Sequence, residues 1–157
     1  MKQMGETGVS VEANCELARR FVQQVLVLED PDSVDELIGN EKLAASLKAG
    51  FAEPAEQRPF TDDRVVFDEI VASEDTVIIV AEASNLHSGS WPTLYFGVIP
   101  ATGLTVTVPL ILVMKILDDK IVELREYADM YHLLEQVGAF SMSAAQAEVA
   151  TPAEAPA

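Results

Sequence analysis

With 157 residues, 49% of them hydrophobic, the chain is long enough for one domain with a substantial core and too apolar to be largely disordered. Asp and Glu number 26 against 10 Lys and Arg, a formal charge of −16 with no basic window, so the long-range field argues against nucleic acid and anionic membrane surfaces as partners. The single cysteine, Cys15, allows no internal disulfide, and no apolar run is long enough for a spanning helix, which predicts a soluble protein of a reducing compartment, the cytoplasm.

In chain order, residues 1–10 carry two glycines and little periodic hydrophobicity and predict a flexible leader. Leu17, Phe21, Val25 and Leu28 then recur at helical spacing, with Ala18, Val22 and Leu26 beside them. They predict a first helix, with Cys15 at a buried position, stopped by Asp30-Pro31. Ser33-Val34-Asp35-Glu36 has capping-box spacing and predicts a short second helix from Val34 to near Gly39. Asn40 can cap a third, with Leu43, Leu47 and Phe51 on one stripe. Residues 53–63, with Pro54 and Pro59, read as a loop.

Strands follow at residues 64–73 and 76–84, separated by the Ser73-Glu74-Asp75 turn, and a third begins near Asn85 or Trp91 and runs through Phe96. Residues 106–117 are almost unbroken in apolar and β-branched side chains, the pattern of a central strand buried on both faces. Asp118-Asp119 has the spacing of a two-residue hairpin loop, and residues 121–129 return with Glu123, Arg125, Tyr127 and Asp129 on one face. A short helix over 130–137 is stopped by Gly138, and residues 141–157 form an Ala, Pro and Glu-rich tail with the composition of disorder. Helices before strands give an α+β class: one domain over 11–140, in which helices cover one face of a bent, mostly antiparallel sheet of about five strands and leave a concave space.

The passages FDEIVASEDTVII, His87-Ser88-Gly89, GVIPATG at 97–103, DDKIVELREYAD and LLEQVGA, in this order, resemble the SnoaL-like polyketide cyclases of the nuclear transport factor two-like superfamily. Ala101, Asp119 and Arg125 depart from that pattern. The resemblance implies a cone-shaped fold, a homodimer, and a cyclase or isomerase without metal or organic cofactor, acting on a hydrophobic, carbonyl-bearing, polyketide-like small molecule. It also implies that Asp129 is the acid and base. A carboxylate facing a closed cavity has its pKa raised by desolvation, and donors must stabilise the enolate oxygen. His87, Tyr95 and Tyr127 are the candidate donors, with His87 and Tyr95 in catalytic roles, and Trp91, Phe96 and Phe21 are candidate walls.

Each residue also has a plainer reading. Asp129 stands where an N-cap for the final helix would stand, His87 is a loop residue beside Ser88-Gly89, and Tyr95 and Trp91 are core filler. His132 belongs to the surface, and Arg125 pairs with Glu123. A non-catalytic binding or assembly module is the alternative function. A limonene-epoxide-hydrolase-like enzyme is a third reading, disfavoured because ungapped matching puts Thr93 and Tyr95 where that chemistry needs an Arg and an Asp.

Overall fold

The computed structural model describes residues 10–141; apart from Ser10 and Ser141, the expected leader and tail lie outside the described residues. Helix α1, Val11–Arg20, starts where Ser10 Oγ accepts from the Ala13 N–H at 3.1 Å, and it runs unbroken into a wider π-helical stretch, Phe21–Val27. Ala18, Phe21, Val22 and Val25 form its buried stripe. Cys15 is only half-buried, because the fully buried neighbour in that turn is Asn14. Asn14 Nδ2 donates to the carbonyls of Ser73 and Glu74 at 3.1 and 2.9 Å and ties the helix to a turn of the sheet.

Helix α2, Pro31–Leu37, begins three residues before the expected start. Asp30 is its N-cap, accepting from the Asp32 and Ser33 N–H groups, and Pro31 takes the first helical position, where no N–H is needed. Ser33 serves the cap from inside the helix by donating its hydroxyl to Asp30. Helix α3, Glu41–Phe51, is capped by Asn40 as its sequence predicts, and Asn40 Nδ2 also donates to the Val122 carbonyl at 3.0 Å.

Six strands follow: β1 Phe60–Ala72, β2 Thr76–His87, β3 Trp91–Thr93, β4 Gly97–Ile99, β5 Thr105–Leu117 and β6 Lys120–Ala128. The main sheet has four strands, not about five, in the antiparallel order β1-β2-β5-β6. The stretch expected as its third strand instead makes the β3–β4 ribbon, a separate two-stranded sheet. Strand β1 starts at Phe60, inside the expected loop. Strand β5 is central, yet its burial alternates: Val106 to Ile116 at even positions are buried, while Pro109 and Ile111 are exposed because no helix among the described residues covers that face. Asp118 and Asp119, at φ of 50° and 59°, form the tight turn to β6 in the left-handed region that short hairpins require.

Register shifts in β1 and at Lys115/Ile116 bend this sheet around its helical side. Helix α4, Met130–Gln136, closes one end. Ladder pairing between β5 and β6 reaches only Leu110 and Ala128, and beyond it Gln136 takes the place of a strand by bonding the Thr107 N–H and carbonyl at 2.9 and 2.8 Å. Gly138, at φ of 76°, ends the helix as expected.

The inner face carries two apolar clusters. One joins Phe21, Val25 and Leu37 to Ile79, Leu112 and Met114; the other joins Ile99, Val106 and Val108 to Leu133 and Val137. Each fully buried side chain of this size contributes about 1.5–3 kcal/mol of transfer free energy. Ala83, too small to fill the junction, packs against both clusters. No helix among the described residues is long and apolar enough to cross a membrane.

Candidate active site

The junction between the two clusters holds a cavity of about 250 Å³. Its apolar lining comes from Leu26 of the π-helical stretch, Val65, Ala83, Val108 and Leu110 of the sheet, and Met130 and Leu133 of α4. Small side chains at Ala83 and Ala128 leave room that Leu or Phe would fill. The polar lining is Asp63, Asn85, Glu126 and, at the rim, Arg64, which reaches outward to Asp62 at 3.1 Å.

A β-bulge aims Asp63 inward. Thr61 pairs with Leu86 and Arg64 with Ser84, so Asp62 and Asp63 together oppose the single residue Asn85. Asp62 absorbs the extra residue in the left-handed region, at φ of 59°. The kink puts Asp63 in phase with Val65 and Phe67, on the half-buried face, while Asp62, Arg64 and Val66 are exposed. Asn85 shares the inner face of β2 with Ala81 and Ala83, and its Nδ2 donates to Asp63 Oδ1. Burial pushes the Asp63 carboxyl above the ordinary Asp value of 3.8, and the negative charge of Glu29 adds to this. The Asn85 hydrogen bond and Arg58 oppose the rise without cancelling it. A carboxyl that holds its proton more tightly than usual is also a stronger base once ionised.

None of the seven side chains expected at the site lines this cavity. Asp129 is exposed, and its Oδ1 accepts from the His132 N–H at 3.0 Å as the N-cap of α4. That is the plainer of its two readings, and the dry hollow expected around it is not there. Tyr95 is 86% exposed at the tip of the β3–β4 ribbon, and Tyr127 is 54% exposed on the outer sheet face, opposite Ile111. Phe21 lies wholly inside the first cluster. Trp91 and Phe96 are half-buried against the second, Trp91 edge-on to Phe60 at 5.1 Å and Phe96 edge-on to Phe140 at 5.4 Å.

His87 is fully buried, with its ring stacked on Phe60 at 5.0 Å and its Nδ1 3.0 Å from Thr102 Oγ1. That oxygen also accepts from the Leu104 N–H, and Nε2 finds no partner among the described residues. Burial lowers the His87 pKa below the ordinary 6.5, because desolvation disfavours the charged ring. Two other plain readings hold, with His132 exposed and Arg125 paired with Glu123 at 3.2 Å, but Tyr95 is not core filler, because it stands exposed on the ribbon, and His87 is not a loop residue, because it ends strand β2. Among the described residues no three His, Cys, Asp or Glu side chains gather closely enough to hold a metal ion.

A family model described as SnoaL-like polyketide cyclase matches residues 9–137. A search of curated protein sequences finds no match. Among solved structures, TsrD from Streptomyces laurentii is 20% identical, with a TM-score of 0.64 over 83% of this chain and 98% of its own. A SnoaL-like polyketide cyclase from Agrobacterium tumefaciens is 13% identical, with a TM-score of 0.61 over 80% and 98%. An LEH-like epoxide hydrolase from Mycobacterium tuberculosis is 17% identical, with a TM-score of 0.57 over 87% and 94%. At such identities these likenesses show a shared fold, the nuclear transport factor two-like α+β fold. The match across most of the described domain is what assigns the lineage: the chain belongs to the SnoaL-like polyketide cyclase family.

Proposed function

We propose that this protein is a cofactor-independent cyclase or isomerase that moves a proton on a hydrophobic, carbonyl-bearing small molecule, with Asp63 as acid and base. The observation that carries this reading is a carboxyl of raised proton affinity on the wall of a largely apolar cavity. The ionised Asp63 takes a hydrogen from the carbon beside a carbonyl, and the electron pair of the broken C–H bond moves to the carbonyl oxygen as an enolate. The enolate carbon then attacks a second carbonyl of the same molecule, and Asp63 returns its proton to the new alkoxide. In the isomerase version the proton returns to another carbon of the conjugated system. Asn85 holds the carboxylate in place through its amide hydrogen bond.

The test is deuterium uptake in D₂O by a panel of apolar ketones and diketones, followed by mass spectrometry. We expect uptake or ring closure with the wild-type protein and its loss in Asp63→Asn. Equal rates in both proteins would remove Asp63 from the mechanism, and tight binding without turnover in either would favour a non-catalytic binding module. Diol formation from a terpene epoxide would replace the reading with hydrolysis.

We also propose that two copies pair through the outer sheet face, where Val66, Ile111 and Tyr127 are exposed. Ile111→Glu then gives a monomer by light scattering, where the wild-type protein gives a dimer.

A further inference from the structure

We propose that Asp63 has two working faces: one meets substrate in the cavity, and the other exchanges its proton with bulk water through a polar crevice bounded by Glu29 and Arg58. The inference rests on the assignment of Asp63 above and concerns the route its proton takes.

Of the residues lining the cavity, Asp63 alone also lines this second opening, a crevice of about 370 Å³. The end of the first helix separates the two spaces, since Leu26 lines the cavity while Val27 and Leu28 line the crevice. Beyond them the wall turns polar with Glu29, Arg58, Thr61 and Asp62. This wall is anchored independently of Asp63. Arg58 Nη1 donates to both Glu29 carboxylate oxygens at 2.6 and 2.7 Å, Nη2 to the Phe51 carbonyl at 2.7 Å, and Nε to the Glu53 carbonyl at 2.8 Å. A Cβ added at Gly89 would lie 2.2 Å from the Arg58 carbonyl oxygen, so the backbone there is packed in place. The crevice is therefore a built feature beside the carboxyl.

Exchange of the Asp63 proton with solvent, which deuterium uptake reads, needs such a route. A bound apolar molecule excludes water from the cavity, and an acid formed there by taking a carbon-bound proton could only give that proton back to its guest. With a polar opening on its other side, the protonated Asp63 can lose the proton to water and regain another before the return step. The charged groups around it are Glu29 at the end of the helical stretch, Arg58 from the connection before β1, Asp62 and Arg64 on β1, and Glu126 across the cavity. Of these, Glu29 is the strongest charged neighbour, and it favours the protonated form.

The experiment follows the Asp63 side-chain carboxyl by ¹³C NMR against pH in the wild-type protein, in Glu29→Gln and in Ala128→Phe, which fills the cavity. In Ala128→Phe we expect Asp63 still to ionise over the wild-type range, because water reaches it through the crevice. In Glu29→Gln we expect the midpoint to move down, since a like charge is gone and Arg58 is released from its partner. Loss of ionisation in Ala128→Phe, or an unmoved midpoint in Glu29→Gln, would overturn the proposal. If Ala128→Phe does not fold, Glu29→Gln decides alone, because Arg58 keeps its two carbonyl anchors. A silent Asp63→Asn combined with the expected titrations would leave the crevice intact and remove the catalytic assignment. An inactive Asp63→Asn with an unmoved Glu29→Gln midpoint would do the reverse.

Discussion

Two acidic residues near the ends of strands have opposite fates here. Asp63 lies at the bulged start of β1 and Asp129 just past the end of β6. Asp129 is followed at once by an apolar helical run, whose first amides have no partner inside the helix, and its carboxylate turns back to accept one of them. Asp63 is followed by more strand, so no local amide claims it, and the bulge swings it into the apolar cavity against Asn85. The difference teaches that a carboxylate at a strand terminus becomes a chemical group only if the next element leaves it unclaimed. Having an acid at the expected place in the chain is not enough.

Four experiments sharpen or break this contrast. The largest effect is expected on turnover: Asp63→Asn loses at least about 100-fold, the low end for removing a general acid/base, while Asp129→Asn stays within a few fold. Reversal of the two in a steady-state assay would return the chemistry to the end of β6. Next comes Asn85→Leu, which removes the donor that holds Asp63 ionised. The pH–rate profile should then have its acidic limb moved to higher pH, and an unmoved limb would separate Asn85 from the reacting carboxyl.

Smaller effects fall on stability, with opposite signs at the two sites. Asp129→Ala should lose about 1 kcal/mol with its cap, whereas Asp129→Asn, an equally good cap, should melt with the wild type. The raised Asp63 carboxyl contributes stability that is fully present below the unfolded value of 3.8 and is lost as pH rises through the folded value. Near neutral pH Asp63→Asn should therefore melt slightly above the wild type, the gain kept small by partial exposure, and the gain should fade in acid. Smallest is His87, whose folded pKa lies below the unfolded 6.5, so the unfolded chain binds the proton first as pH falls. Melting should weaken from about that pH downward in the wild type, and His87→Gln should flatten this slope in a thermal series.

Much of the architecture was readable from local signals. The Asn40 cap, the Asp118-Asp119 turn, the Gly138 stop and the buried face of β5 each depend on a few neighbouring residues. Errors arose where a distant partner decides. Pro59 to Asp63 looks like loop because the bulge exists only in register with Asn85, more than twenty residues away. Residues 91–99 had enough apolar character for the main sheet, but they close on themselves as a ribbon. The site itself left a faint signal, an acid in phase with Val65 and Phe67 and an amide in phase with Ala81 and Ala83. Alternation can find such positions, but it cannot say which faces meet in space.

The widened helical stretch at Phe21–Val27 treats losses and gains of chain length unequally. A wide turn carries about one residue more than an α-turn, so deleting one residue there restores ordinary pitch with little change of phase downstream, whereas inserting one turns everything beyond it by about 100°. The insertion would swing Leu26 off the cavity and Glu29 away from Arg58, two contacts made by different elements yet tied to one helical phase.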